Sequence, residues 1–487
     1  MAHADGGTAP LLRSCAAPSP RRNMFAFLCA TLASMTTILM AYNLSLMSGA
    51  ELFIREDLGL SDTQTELLVG CINVYMLVSV VAAGWAGDLL GRRATLVLAN
   101  ALLMAGALGM ALGRSYAALM AALFVTSLGC GFVRVVAPVY NAEISPASSR
   151  GVLSALLDMF VNLGILLGYV SSYAFFCMPV HLGWRVMYAV GVLPPMLLAA
   201  AVLAVPESPQ WLAMRGRHGE AHAVLLRTSD TPAEAGRRLE EIKQAAAKAP
   251  HTAGDGESGG VWSELIVRPS ASVRRVLVCV VGLQFFVHAV GTEAVLMYSP
   301  LVFRNAGMAT NGAALGATVA VGAVKTCFVL VATLLSDRAC RRPLLLTSAA
   351  GVAAALVSIA LTLRASVPAA SSSSQLACVA SVLAFVAAFS VGLGPMIATY
   401  TVEILPIRLR AQGSSLGMVV NRATSALVGM TFISLASWIT MAGCFFLYAG
   451  AAVAACVFVY LRVPEPRGHG RLVRQVTDGR LCMYLGQ

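Results

Sequence analysis

The sequence predicts an all-α membrane protein, with twelve transmembrane helices arranged as two six-helix bundles. Three observations predict it. Of 487 residues, 58% are hydrophobic and 12% charged, roughly half the charge of a typical soluble chain. Apolar runs of about 20 residues recur along the chain, each long enough to cross about 30 Å of hydrocarbon. The loop motifs of the first half also return, in the same order, in the second.

The elements follow in chain order. Residues 1–23 are polar and rich in Pro and Ala and read as a disordered cytoplasmic tail. The apolar run after them is too long for a signal-peptide core, so it is expected to be a retained first span. Runs near 25–49, 66–87, 94–113, 116–140, 152–176 and 184–205 make a first bundle over 24–205. Residues 206–273 are polar. Within them "AEAGRRLEEIKQAAAKA" favours helix and "PHTAGDGESGG" a flexible chain. Short cytoplasmic helices coupling the halves are expected, a plain tether being the alternative. Runs near 274–298, 313–335, 343–363, 376–400, 411–436 and 441–461 complete a second bundle over 274–462, and 463–487 form a second tail.

The net charge of +11 reports topology rather than a nucleic-acid partner. One side of the twelve runs collects Arg13, Arg21, Arg22, Arg92, Arg93, Arg150, Arg338, Arg341, Arg342, Arg408, Arg410, Arg467, Arg471, Arg474 and Arg480. The other side holds few, among them Arg55, Arg114 and Arg304. Basic loops stay inside, which puts both termini in the cytoplasm. The twelve cysteines fall mostly in apolar runs, without CxxC pairs or metal-ligand spacing, and read as small core residues. No metal or cofactor is expected. The chain shows no nucleotide loop and no nucleophile–base pair in a polar segment, so catalysis is not expected either.

"GWAGDLLGRR" follows the second run and "LLSDRACRRP" the eighth; Asp88 precedes Arg92–Arg93 as Asp337 precedes Arg341–Arg342. "YNAEISPASSRG" follows the fourth and "YTVEILPIRLRAQG" the tenth; Glu143 and Glu403 each precede a Pro and then Arg150 and Arg410. "PESPQWL", with Glu207, closes the sixth, and "PEPRGHG", with Glu465 and Arg467, the twelfth. All three pairs are offset by about 250–260 residues, a parallel duplication of a six-helix unit. Gly91 allows a tight turn, while Asp88 can pair with the loop arginines or cap a helix. Rows of such pairs can latch the two halves and part as the molecule rocks. Exposed pairs contribute only about 0–1 kcal/mol each, suited to a latch that opens.

These stretches, with "APVYNAEISPASSRG" and "DRACRRPLLL", resemble the sugar porter family of the major facilitator superfamily. "GVWSELIVRPSASVRRVL" and the His288/Glu293 spacing are most similar to its plant polyol/monosaccharide transporters. The resemblance implies the major facilitator fold, a central site exposed to alternate membrane faces, a small polyol or monosaccharide as partner, and the plasma membrane rather than the vacuolar one.

In the family the seventh span presents polar residues around a Gly to the solute, and His288, Gly291 and Glu293 match that pattern. An ionisable group at mid-membrane costs about 2.5–3.5 kcal/mol and usually faces water; a packed interhelical hydrogen bond is the alternative. By the same likeness Asn162 of span five, Tyr169 two turns on, and Asn421 of span eleven join the expected solute-binding set. Several positions depart from the family. Val287 replaces a Gln and Ala398 a stacking Trp, weakening any common hexose. Asn43 stands where family proton symporters carry an Asp, and Leu123 where its Arg partner stands. Arg134 is an extra charge inside span four.

The expectation is facilitated diffusion of a polyol or monosaccharide with weak or absent proton coupling. A symporter that moves protons through Glu293, a non-transporting sensor or decayed copy, and a carrier for another organic solute remain as alternatives.

Overall fold

The computed structural model describes residues 23–146, 149–248, 270–336, 341–366, 372–405 and 410–463. Among the described residues all regular structure is helical, and twelve helical segments are long and apolar enough to cross a membrane. Five spans of the first bundle are α1 (Met24–Leu58), α2 (Asp62–Leu90), α3 (Arg92–Leu112), α4 (Tyr116–Ile144) and α5 (Arg150–Ala174). The sixth is split into α6 (Val180–Val190) and α7 (Leu193–Leu203). Pro194 and Pro195 lie just inside α7, where their missing N–H groups break no bond.

Three short helices, α8 (Pro209–Met214), α9 (His218–Thr228) and α10 (Pro232–Lys248), follow on the polar segment. The seventh span is α11 (Ala271–Ala289) and α12 (Thr292–Met297), followed by α13 (Ser299–Asn305). The rest of the second bundle is α14 (Asn311–Ser336), α15 (Arg341–Ser366), α16 (Ser372–Val391) with α17 (Leu393–Ile404), α18 (Arg410–Ile439) and α19 (Met441–Arg462). Spans six, seven and ten are each broken near a Pro or Gly.

Local chemistry sets the ends. Asn23 caps α1 by accepting from the N–H groups of Phe25 and Ala26 at 3.1 and 3.2 Å. Ser61 and Gln64 form a capping box on α2. Gly91 turns the chain between α2 and α3 with φ of 99°. A Cβ there would lie 2.5 Å from Glu207 Oε2, so only glycine lets that carboxylate in.

The bundles touch along α2 against α18 and α5 against α14. We name the two ends of the molecule for what they carry: the linker end holds α8–α10, and the far end holds the α1–α2 turn. Ser48 Oγ and Tyr169 Oη both donate across the bundle boundary to Leu296 O, at 3.3 and 2.9 Å. Glu66 on α2 is bonded to Ser434 on α18. Among the described residues, hydrogen bonds between the bundles lie at mid-span or toward the far end. The structure is a cleft closed at the far end.

Candidate functional site

The break in the seventh span builds the site. In an unbroken helix, positions five apart point about 140° away from each other. Here α11 ends at Ala289, Gly291 takes φ of 80°, and α12 restarts at Thr292. A Cβ on Gly291 would sit 2.5 Å from the Tyr448 ring of α19, so packing as well as conformation requires glycine. Thr292 Oγ1 donates to Val287 O at 2.8 Å, satisfying a carbonyl that the break frees.

The break brings His288 and Glu293 together: His288 Nδ1 lies 3.3 Å from Glu293 Oε1. Nδ1 is buried and, beyond this pairing, makes no hydrogen bond. Ser425 of α18 donates to Glu293 Oε1 at 2.6 Å.

A chain of amides continues the polar surface. Asn421 Nδ2 donates to Gln284 Oε1 at 2.9 Å, and Gln284 Nε2 donates to Thr401 Oγ1 at 3.2 Å. Asn421 Oδ1 accepts from Arg422 Nε and Nη2 at 3.0 and 2.8 Å. Arg422 Nη1 reaches across to Asn73 Oδ1 of α2 at 3.4 Å. Gln284 was not singled out in the sequence. It lies one turn before His288, and that spacing was the available signal.

The other expected solute-binding residues are buried in the walls. Asn162 Nδ2 donates to Asp158 O, one turn back on its own helix, at 2.8 Å, and its carbonyl accepts from Thr326 of α14 at 3.4 Å. Tyr169 spends its hydroxyl on Leu296 O. Asn43 Nδ2 donates to Leu39 O at 2.9 Å while its Oδ1 has no partner, and Leu123 is 2% exposed. Of the departures, Val287 is buried, and the side chain of Ala398 is outside the described residues.

Further charges face the cleft. Arg134 on α4 and Asp158 on α5 are exposed although both lie well inside their spans, and Lys325 on α14 and Arg422 are half-buried. Asp158 acts on Arg134 as its opposite charge, Glu293 attracts Lys325 and Arg422, and Arg134 repels both. The repulsions of Arg134 with Lys325 and with Arg422 run between the bundles, across the space that separates α4 from α14 and α18. Asp158, Lys325 and Arg422 each interrupt an apolar run, the signal that drew attention to His288 and Glu293.

The expected latch residues of the first half make close contacts among themselves. Arg92 Nη1 donates to Asp88 Oδ1 at 2.9 Å and its Nε to Glu143 Oε2 at 3.2 Å. Ser208 Oγ donates to the same Glu143 oxygen at 2.5 Å. Glu207 Oε1 accepts from the backbone N–H groups of Arg92 and Arg93 at 2.9 and 3.0 Å, so Glu207 rather than Asp88 caps α3. These contacts stitch helices inside the first bundle. In the second half Arg342 Nη2 donates to Tyr460 O at 2.6 Å, again within one bundle, and Arg341 reaches Met396 Sδ at 3.3 Å. Arg150 and Arg410 open α5 and α18 and Glu403 lies in α17, but their side chains are outside the described residues, as are Asp337, Glu465 and Arg467 altogether.

Residues 28–470 match the family model described as "Sugar (and other) transporter". The chain belongs to this transporter family. It is 46% identical over 462 residues to Polyol transporter 5 of Arabidopsis thaliana, covering 93% of this chain and 86% of that one. It is 30% identical over 438 residues to the D-xylose transporter of Levilactobacillus brevis, with 88% and 91% covered. The inward-open structure of the xylose transporter XylE from E. coli superposes with a TM-score of 0.78 at 22% identity, over 93% of this chain and 99% of that one. That likeness carries the fold, which is the major facilitator fold expected from the loop motifs.

Proposed function

We propose that the protein moves a polyol or monosaccharide across a membrane by alternating access, as a carrier and not an enzyme. The observation that carries this reading is the broken seventh span. It sets a buried imidazole beside a carboxylate, next to the Gln284–Asn421 amide pair, at the blind end of a cleft between two bundles. Hydroxyl groups suit such a surface, since each can donate to Glu293 and accept from an amide or imidazole N–H. The relatives named polyol transporters supply the solute class.

Movement is by facilitated diffusion. The titrating group and counter-charge expected of symporters in spans one and four are absent here, since Asn43 and Leu123 supply neither. The linker end, rich in arginine, faces the cytoplasm with both termini, and the membrane is the plasma membrane.

The test is uptake into proteoliposomes of labelled alditols, pentoses and hexoses. Saturable uptake of at least one solute is expected, with Glu293→Ala and His288→Ala each reducing it about tenfold or more. Binding without uptake would make the protein a sensor, and neither would sink the reading.

A further inference from the structure

The charges facing the cleft lie at a common depth. Taking 1.5 Å per helical residue from the linker end, Arg134 is about 15 Å in, Asp158 about 12 Å, Lys325 about 16 Å and Arg422 about 18 Å. They come from α4, α5, α14 and α18, which belong to both bundles. They therefore ring the cleft beneath His288 and Glu293, on the path any solute takes from the open end.

The ring is not neutral. Arg134, Lys325 and Arg422 stand against Asp158 and Glu293, leaving one positive charge in excess. Glu293 is also the more occupied carboxylate, held by Ser425 and approached by His288. Arg422 is fixed on Asn421 and Asn73. Among the described residues neither Arg134 nor Lys325 has a carboxylate oxygen within 4.0 Å. Two long cationic side chains thus reach into the space between the bundles without an ion pair among the described residues, Asp158 acting on Arg134 only from beyond 4.0 Å. An uncompensated charge at mid-membrane is costly, and a solute that brings one negative charge removes that cost.

We propose that the preferred solute is a carboxylate-bearing polyol, a sugar acid, whose carboxylate sits between Arg134 and Lys325 while its hydroxyls meet Gln284, His288 and Glu293. This rests on the transporter reading above and names its substrate class. One excess positive charge matches a carboxylate better than a phosphate ester, which carries about −1.5 to −2 at neutral pH. Hydrogen bonds to a charged group are stronger than neutral ones, so the acid should bind about ten- to a hundredfold tighter than its neutral counterpart.

The experiment compares gluconate with sorbitol on the purified full chain, by equilibrium binding and by proteoliposome uptake, with gluconate 6-phosphate as a third probe. Gluconate is expected to bind at least about tenfold tighter than sorbitol. Arg134→Gln and Lys325→Gln should each shrink that preference several-fold. Asp158→Asn adds to the positive excess and should enlarge it. A purely structural role would weaken both solutes in all three variants, so opposite signs decide the matter even if one variant fails to fold. Uptake of a monoanion alone is also electrogenic, so an inside-negative potential should slow gluconate entry and leave sorbitol entry unchanged.

If sorbitol binds as tightly as gluconate, or the phosphate ester is preferred, the inference falls and the polyol reading stands. If no solute binds or moves, both fall.

Discussion

Glu66 on α2 accepts from the backbone N–H of Ser434 on α18 at 3.1 Å and from the same residue's hydroxyl, so one carboxylate ties the two bundles at the far end. Close by, α2 and α18 approach until a Cβ on Gly70 would lie 2.0 Å from Met430 Cγ. The far-end closure is made of this contact and the two bonds onto Leu296 O.

Glu66→Ala is therefore expected to favour the conformation open at the far end. It removes a charged acceptor serving two donors, a loss of about 1.5–3 kcal/mol from the closed state and a population shift of about ten- to a hundredfold. Spin labels on the far-end tips of α2 and α18 should report a longer distance in the variant. An unchanged distance distribution would count against this gate.

Gly291→Ala should be costly twice over. The residue holds φ of 80°, which costs about 1–2 kcal/mol with a Cβ present, and the added carbon meets the Tyr448 ring. A fall in melting temperature together with loss of uptake is expected, whereas the same change at Gly84, where no atom lies within 4 Å, should be silent.

His288→Cys and Glu293→Cys, made in a background lacking the native cysteines, should react with a water-soluble thiol reagent from the linker end. Solute should slow both reactions. Failure to label from either face would place the pair in sealed protein and remove it from the solute path.

Glu143→Gln would leave the buried Arg92 with only the exposed Asp88 as a charged partner, since the side chain of Glu143 is 8% and that of Asp88 73% exposed. Breaking one side of a buried pair costs about 3–5 kcal/mol; here Asp88 and Gly87 O retain part of it, and a smaller loss is expected in thermal unfolding.

Asn43→Asp or Leu123→Arg alone would strand a buried charge and impair uptake, by several kcal/mol of destabilisation. The wild-type chain should show no solute-induced proton uptake into vesicles. The double change, Asn43→Asp with Leu123→Arg, should restore some folding and reveals whether coupling can be rebuilt. An acidification of the lumen on adding solute to the wild type would overturn the uncoupled cycle.

The twelve spans, the duplication and the linker helices were legible because each rests on local sequence: an apolar run, a motif at fixed spacing, a charged amphipathic stretch. The break at Gly291 was not. Val290 and Gly291 are both tolerated in a membrane helix, and the ring that requires glycine at the break, Tyr448, lies more than 150 residues on. The ring of Arg134, Asp158, Lys325 and Arg422 was legible only as separate interruptions, since their common depth exists once four helices are superposed. Asn162 and Tyr169 lie beside the cleft, yet whether a polar side chain points into space or bonds to a neighbouring carbonyl depends on rotation that spacing does not encode. Glu143 and Glu207 illustrate the same limit: their charges were evident, but not that one would meet Arg92 and the other the head of α3.

The docking of α8–α10 has a consequence for how the chain divides. Trp211 Nε1 donates to Asp88 O, Arg215 Nη2 to Leu89 O and Arg238 Nη2 to Glu143 O, while Asn23 at the head of α1 binds Arg227 O and Ser229 O. All of these partners belong to the first six spans. The polar helices are thus a lid fastened to one hemisphere, and they travel with it as a single body. Among the described residues, the part of the segment between the halves up to Lys248 therefore belongs to the first hemisphere. Two separately made fragments joined beyond that point would leave the first with its lid in place, all of the contacts named above being kept within it.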